Sequence, residues 1–292
     1  MTPRKTNGDK TNDDSGIEYC LAQIRRYDRD RTLTVLAAPR AAAADLAVLY
    51  AFNLEITLVR DSVTEPMLGR IRLQWWREAL AEVYAGRPRR HAVLESLAAL
   101  HARAPLSRQH FERLIDARET EFDEVIPADL AALESYADAT SGDLLRLAAE
   151  AAGIDPVSGD AATLIRHVGI GFSLTGIARA TLYLARRRHT LLPQSLLAKH
   201  GVSLDRLYEL KPQPGLNAAI AELAAAARGH LDAARRLPAP SPLLPALRIG
   251  TLARAHLARL RHRDHDLFDP RSIEASPRDI WRIAGKRLIG SW

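Results

Sequence analysis

The sequence predicts an all-α protein, a single-domain bundle of about ten helices, on three observations. Ala, Leu and Arg are abundant while aromatic residues make up only 5 %, a balance that favours helix over sheet. Apolar residues recur at helical spacing along most of the chain, and no run alternates as a strand would. No segment recurs with a period of roughly 20 to 50 residues, which excludes a solenoid.

The elements are set by punctuation and periodicity. A short helix is predicted over 17–28. Pro39 suits the first position of a helix running to 60, and Pro66 opens another that Gly86 and Pro88 stop after 85. Ser107 is placed to cap a helix carrying Phe111, Leu114, Ile115, Arg118 and Phe122. Further helices are predicted over 127–152, closed by Gly153, and over 160–185, the most apolar stretch. Pro193 starts a short helix that Gly201 ends, and 211–215 (KPQPG) is a loop. Helices over 216–236 and 242–263 flank a linker, 237–245, with four prolines. The segment beyond that linker is too small to be a domain, so the linker reads as an inter-helix loop. Ser276, Pro277 and Asp279 start a last helix to 289. Residues 1–15 read as a disordered N-terminal tail, and 16–292 as the one helical domain.

Bulk properties narrow the function classes. The chain has 292 residues, 47 % hydrophobic and 26 % charged, enough for an ordinary globular core. The net charge of +6 has two readings: an Arg-rich composition, or attraction to phosphate or an anionic membrane face. Nucleic acid is not an expected partner, because zinc-finger spacing, basic heptads and aromatic-studded basic strands are all missing. Cys20 is the sole cysteine, so no intramolecular disulfide or multi-cysteine metal site can form. With no secretory segment, the expected setting is a reducing one, cytoplasmic and not secreted. The longest uncharged apolar stretch, 168–178, lies between His167 and Arg179. It falls short of the roughly 18 residues a span requires, so no transmembrane helix is expected. Residues 279–292 are basic and amphipathic with a Trp near each end. They suit either peripheral contact with an inner-membrane surface or packing onto the bundle.

Three stretches carry a resemblance to a known family. Residues 50–65 (YAFNLEITLVRDSVTE), with RIRLQWWREAL after them, resemble the helix that reads Y-A-F-C-R-x-x-D-D-x-x-D-E in squalene and phytoene synthases. LIDARETEF and LESYADATSG, between 114 and 142, resemble the family's L-I-x-G-M-x-x-D and L-x-x-Y-x-x-x-x-A-G region. Residues 167–203, ending ARRRHTLLPQSLLAKHGVS, resemble its Q-L-T-N-I-L-R-D-V-G-E-D and G-R-x-Y-L-P segments. The resemblance implies an isoprenoid synthase fold with an apolar tunnel. It also implies magnesium-dependent joining of two prenyl diphosphates, the metal held by aspartates on two facing helices.

The metal-binding positions depart from that pattern. At D-D-x-x-D stand Thr57, Leu58, Val59, Arg60 and Asp61, and at R-D-x-x-x-D stand Arg179, Ala180, Thr181, Leu182, Tyr183 and Leu184. No Asp or Glu occurs between Asp160 and Asp205. Glu121 takes the place of the aspartate in the intervening motif. Asp61, Glu65 and Glu121 are therefore residual family positions, with Glu55 on the same helix as Asp61. Asp61 and Glu65 also read as an ordinary surface pair at a helix end. No metal site is expected, and no cofactor unless magnesium serves an atypical enzyme. Arg60, Arg179, Arg187, Arg188 and His189 are candidates for binding phosphate or lipid headgroups. The basic run beginning at Arg186 reads equally as a solvated helix end. Tyr50, Phe52, Trp75, Trp76 and Phe172 are candidate tunnel or packing residues. Neighbouring tryptophans on a helix diverge by about 100°, so one of Trp75 and Trp76 faces the core and the other its edge.

The phrases AFNLE, VRDSVTE, RLQWWREAL, RATLY and LLP resemble the branch that includes the mitochondrial complex I assembly factor. That resemblance implies a non-catalytic binding or assembly protein, with a protein partner in respiratory complex assembly near the inner membrane. Two alternatives stay open: a prenyltransferase with atypical ligands or a partner subunit, and an isoprenoid or lipid carrier.

Overall fold

The computed structural model describes residues 7–123 and 125–292, with side chains from residue 15 onward. Of the tail expected over 1–15, residues 1–6 lie outside the described part. Among the described residues the structure is helical with no strand. The first half holds α1 (Asn7–Tyr27), α2 (Arg29–Leu36), α3 (Arg40–Asp61), α4 (Pro66–Tyr84), α5 (Ala92–Arg103), α6 (Arg108–Glu119), α7 (Leu130–Ala137) and α8 (Asp143–Ala151). The second half holds α9 (Gly159–Ala185), α10 (Gln194–Lys199), α11 (Leu204–Tyr208), α12 (Pro214–Ala234), α13 (Leu244–His262), α14 (Pro270–Ile273) and α15 (Arg278–Leu288).

Pro66 is the first residue of α4, as the sequence predicts, while Pro39, expected as the first residue of α3, stands one position before it as the N-cap. Ser107 precedes α6, but its side chain does not cap that helix. Its hydroxyl and amide both donate to Glu150, tying α6 to α8. α5 is not among the predicted helices, although Val93, Leu94, Leu97 and Leu100 give it a buried face at helical spacing. The helix predicted over 127–152 is interrupted by a π-turn, Asp138–Gly142, between α7 and α8.

That turn has a steric cause. A Cβ on Gly169 of α9 would lie 2.6 Å from the Gly142 Cα. Two backbones touch there with no room for a side chain, and the helix is interrupted by a single π-turn at that contact.

The core has two parts, and α9 runs through both. Its first half sends Leu164, Ile165 and Val168 into a cluster with α3, α4, α5, α6 and α8. Its second half sends Ile170, Leu174, Ile177 and Ala178 into a cluster with α7, α10, α12 and α13. Both α3 and α9 are long and apolar enough, by length and composition, to cross a membrane. Neither is an uncharged stretch, because charged residues interrupt each one. In the fold, 61 % and 56 % of their most apolar windows are buried, so their apolarity builds the core.

Candidate functional site

The C-terminal ends of α3 and α9 meet, as the two motif helices of the family pattern should. What meets there is an acid and a base. Asp61, the residual acid of the first motif, lies 3.2 Å from Arg187 Nε, just beyond the end of α9. The Tyr183 hydroxyl donates to the other Asp61 oxygen at 2.6 Å. The Arg187 guanidinium also stacks over the Tyr183 ring, 4.1 Å from its centre. Where the pattern calls for two carboxylates bridged by a cation, this chain has one carboxylate bridged by its own arginine. Tyr183 stands in the second motif, but the motif gives it no role that would mark it as a partner of Asp61. Its phenolic pKa is raised, by burial first and then by the hydrogen bond to Asp61 and the Asp61 charge, with Arg187 opposing.

The other residual acids do not join Asp61. Glu121 accepts from Arg118 at 2.8 Å and from the Tyr136 hydroxyl at 2.6 Å. Arg118 also donates to the Tyr136 oxygen at 2.7 Å, closing a three-membered network. Burial first, and then the Glu121 carboxylate, push the Tyr136 phenol well above its ordinary value, while the Arg118 guanidinium opposes them. Glu55 takes a hydrogen bond from Tyr19, and burial raises its pKa. Glu65 is exposed immediately before α4.

Magnesium needs several oxygen donors around one point. Here the acids occupy separate environments, and the acid-free stretch of α9 supplies none. Among the described residues, no three His, Cys, Asp or Glu side chains gather to hold a metal. The donor set does not fit a magnesium–diphosphate site.

The candidate phosphate binders are likewise dispersed. Arg60 lies over the Phe122 ring, and Arg188 lies over that of Tyr208. Arg188 occupies a left-handed backbone position, φ 54°, in the turn that ends α9. Arg179 turns away from Asp61 to pair with Asp30 at 3.2 Å and to donate to the Ile273 carbonyl. Asp30 is also joined to His256 Nε2 at 2.7 Å. Arg259 links the His256 Nδ1, at 2.5 Å, to the buried Asp279. With Arg259 donating to Nδ1, the neutral imidazole donates from Nε2 to Asp30. The sequence offers no signal for this network, because its members stand up to 249 positions apart.

The candidate tunnel residues fill space. Tyr50, Phe52 and Trp76 are buried in the first core cluster. Phe52 meets Trp76 and Phe111 edge-on, at 5.6 and 5.0 Å between ring centres. Burial pushes the Tyr50 phenol up to about 12, and the Arg31 guanidinium over its ring partly opposes that. Phe172 is half-buried beneath the same guanidinium. Trp75, 38 % exposed, edges onto Trp76 and carries Arg89 on its outer face. A separate, mostly apolar cleft of about 550 Å³ lies beside the Glu121 network, with His189, Leu191 and Val125 among its walls. Of the five candidate cations, His189 is the one at this cleft.

Comparison with known proteins agrees with this fold. The sequence model for squalene/phytoene synthase matches residues 24–279. The protein "NADH dehydrogenase (ubiquinone) complex I, assembly factor 6" of Mus musculus is 30 % identical over 254 residues, 86 % of this chain and 76 % of that one. A presqualene diphosphate synthase of Rhodopseudomonas palustris is 29 % identical over 208 residues, 70 % of this chain and 72 % of that one. Among solved structures, a dehydrosqualene synthase superposes with a TM-score of 0.80 at 17 % identity, covering 96 % of this chain and 97 % of its own. The shared fold, the motif helices in their expected places and the family match over most of the sequence lead to one assignment: the chain belongs to the squalene/phytoene synthase family.

Proposed function

We propose that this protein is a non-catalytic member of its family, an assembly factor for respiratory complex I working at the membrane where that complex is built. The observation that carries the reading is the Asp61–Arg187 pair. The one residual carboxylate of the first motif is paired with a cation of the chain itself, and α9 offers no carboxylate to hold a metal opposite it. The likeness to complex I assembly factor 6 supplies the biological setting and the expected partner, a component of that complex.

A second reading has its own support. The likeness to presqualene diphosphate synthase favours condensation of prenyl diphosphates, and the apolar cleft beside Glu121 would suit an isoprenoid or lipid ligand. Two measurements decide. The purified protein is incubated with magnesium and farnesyl or geranylgeranyl diphosphate, with and without NADPH, and products are followed by mass spectrometry. Complex I activity is measured in a deletion strain. No product, with complex I lost on deletion and restored by both the wild-type and the Asp61→Ala genes, is the expected result. Turnover that Asp61→Ala abolishes, or normal complex I in the deletion strain, overturns the reading.

A further inference from the structure

α15 turns one face into the fold and leaves an apolar face exposed. Asp279 and Ile283, one turn apart, point inward and are buried. On the opposite side Trp281 is 78 % exposed, Leu288 86 % and Ile289 73 %, with Ile280 beside them. Trp281 and Leu288 are seven residues apart, so they line up along one side of the helix about 10 Å from each other. Large apolar side chains normally leave water when a chain folds. Here a ridge of them is held out into it.

The flanks of the ridge carry one sign of charge. Arg278, Arg282, Lys286 and Arg287 all belong to this helix, and from Arg278 to Trp292 the only acid is Asp279. Asp279 is buried and neutralised by Arg259 and Arg282, so it does not show at the surface. Arg235 and Arg254 lie close enough to Lys286 to lower its pKa, after the larger effect of burial. Arg235, just after α12, extends the positive patch, whereas Arg254 on α13 is paired with Asp232.

We infer that α15 docks the protein on an anionic phospholipid bilayer, with Trp281, Leu288 and Ile289 entering the interface and the flanking cations meeting headgroup phosphates. The inference deepens the assembly-factor reading by naming the surface that would bring the protein to a membrane complex, and it rests on that reading for its setting alone. A bilayer accepts a convex ridge without a preformed groove, to a depth of about 5–10 Å at the headgroup boundary. Trp favours that boundary because its ring is apolar and its N–H polar. Basic side chains there keep their stems in the apolar zone and their charges on the phosphates.

The test uses the full-length protein and sedimentation with vesicles of phosphatidylcholine alone or mixed with phosphatidylglycerol. Binding is expected only to the anionic vesicles, and weaker at high salt. The double variant Trp281→Ser/Leu288→Ser is expected to lose about tenfold or more in partitioning. The variant Arg278→Gln/Arg287→Gln is expected to lose roughly fivefold per charge at low salt. All four side chains are exposed, so melting temperatures should match wild type, and those melts confirm that each variant is folded. No binding by the wild type, equal binding to neutral vesicles, or undiminished binding by the Trp281/Leu288 variant overturns the inference. The vesicle readout does not depend on complex I. Normal complex I in a deletion strain would therefore remove the assembly reading while leaving the lipid result standing.

Discussion

Arg187 and Asp61 close the gap between the two motif helices, their nearest charged atoms 3.2 Å apart. Both side chains remain partly exposed, and exposed pairs of this kind contribute about 0–1 kcal/mol. Asp61→Asn is therefore expected to lower stability by about 1 kcal/mol or less in urea melts. It should leave complex I levels in a complemented strain unchanged. A large loss of stability would mean that the pair, with its Tyr183 hydrogen bond, is a structural keystone.

Because Arg187 pairs with Asp61, and no three acidic, His or Cys side chains gather among the described residues, added magnesium is not expected to bind at this place. The melting temperature is expected to be the same in excess magnesium and in EDTA, since only a ligand that prefers the folded state shifts it. An upward shift with magnesium that Asp61→Asn removes would reveal a site the acids do not show.

The buried network of Arg118, Glu121 and Tyr136 should respond differently from the Asp61 pair. Removing one partner of a buried ion pair leaves the other charge uncompensated, and Glu121→Ala is expected to destabilise by about 3–5 kcal/mol. Glu121→Gln keeps an acceptor for both donors and should lose less. Urea denaturation of the two variants gives the comparison.

Stability should fall on the acid side. Burial holds the His256 imidazole below its ordinary 6.5, and its hydrogen bond to Asp30 only partly opposes this. Burial likewise lowers His167, helped by the neighbouring His230. Both take up protons more readily unfolded than folded, so their contribution is complete above about 6.5 and is lost as pH falls below it. Asp30 acts in the same sense at lower pH. Burial would raise its carboxyl, but His256 and Arg179 outweigh that and hold it below 3.8. Its contribution is present above 3.8 and is lost as pH falls through the depressed value. Melting temperature is expected to be flat above neutral pH and to drop below about 6.5. His256→Gln should be less stable near neutral pH and show a shallower drop.

Gly169 offers a purely steric test. A methyl group there would meet the Gly142 backbone at 2.6 Å, where no flexible side chain can move aside. Gly169→Ala is expected to destabilise by about 1–3 kcal/mol. Gly176→Ala on the same helix, with nothing within 4 Å of the added atom, should be neutral or slightly stabilising.

These contrasts separate the parts of the molecule that the sequence reveals from those it hides. Pro39 and Pro66 mark helix starts by local chemistry, and the structure keeps both. The divergence of Trp75 and Trp76 comes from helix geometry alone, and one is indeed buried while the other is exposed. Loss of the metal-binding acids is legible because it needs only a motif and its spacing. The fate of Asp61 is not, since pairing with Arg187 depends on how α3 and α9 cross. The π-turn at Asp138–Gly142 is also invisible, because its cause is a backbone 27 positions away. Arg179 shows the limit most plainly. It stands in a family motif as an anion binder, yet the fold commits it to Asp30, 149 positions earlier.

The Asp30–His256–Arg259–Asp279 network bears on how the molecule is made. It joins residue 30 to residue 256, and through Arg259 to residue 279. A chain emerging from the ribosome carries Asp30 and Arg179 before His256, Arg259 and Asp279 have been made. This part of the interior therefore cannot be completed until α13 and the start of α15 have been made, whatever local helices form earlier. Truncation just before α15 would leave Arg259 without its Asp279 carboxylate and the network open at that end.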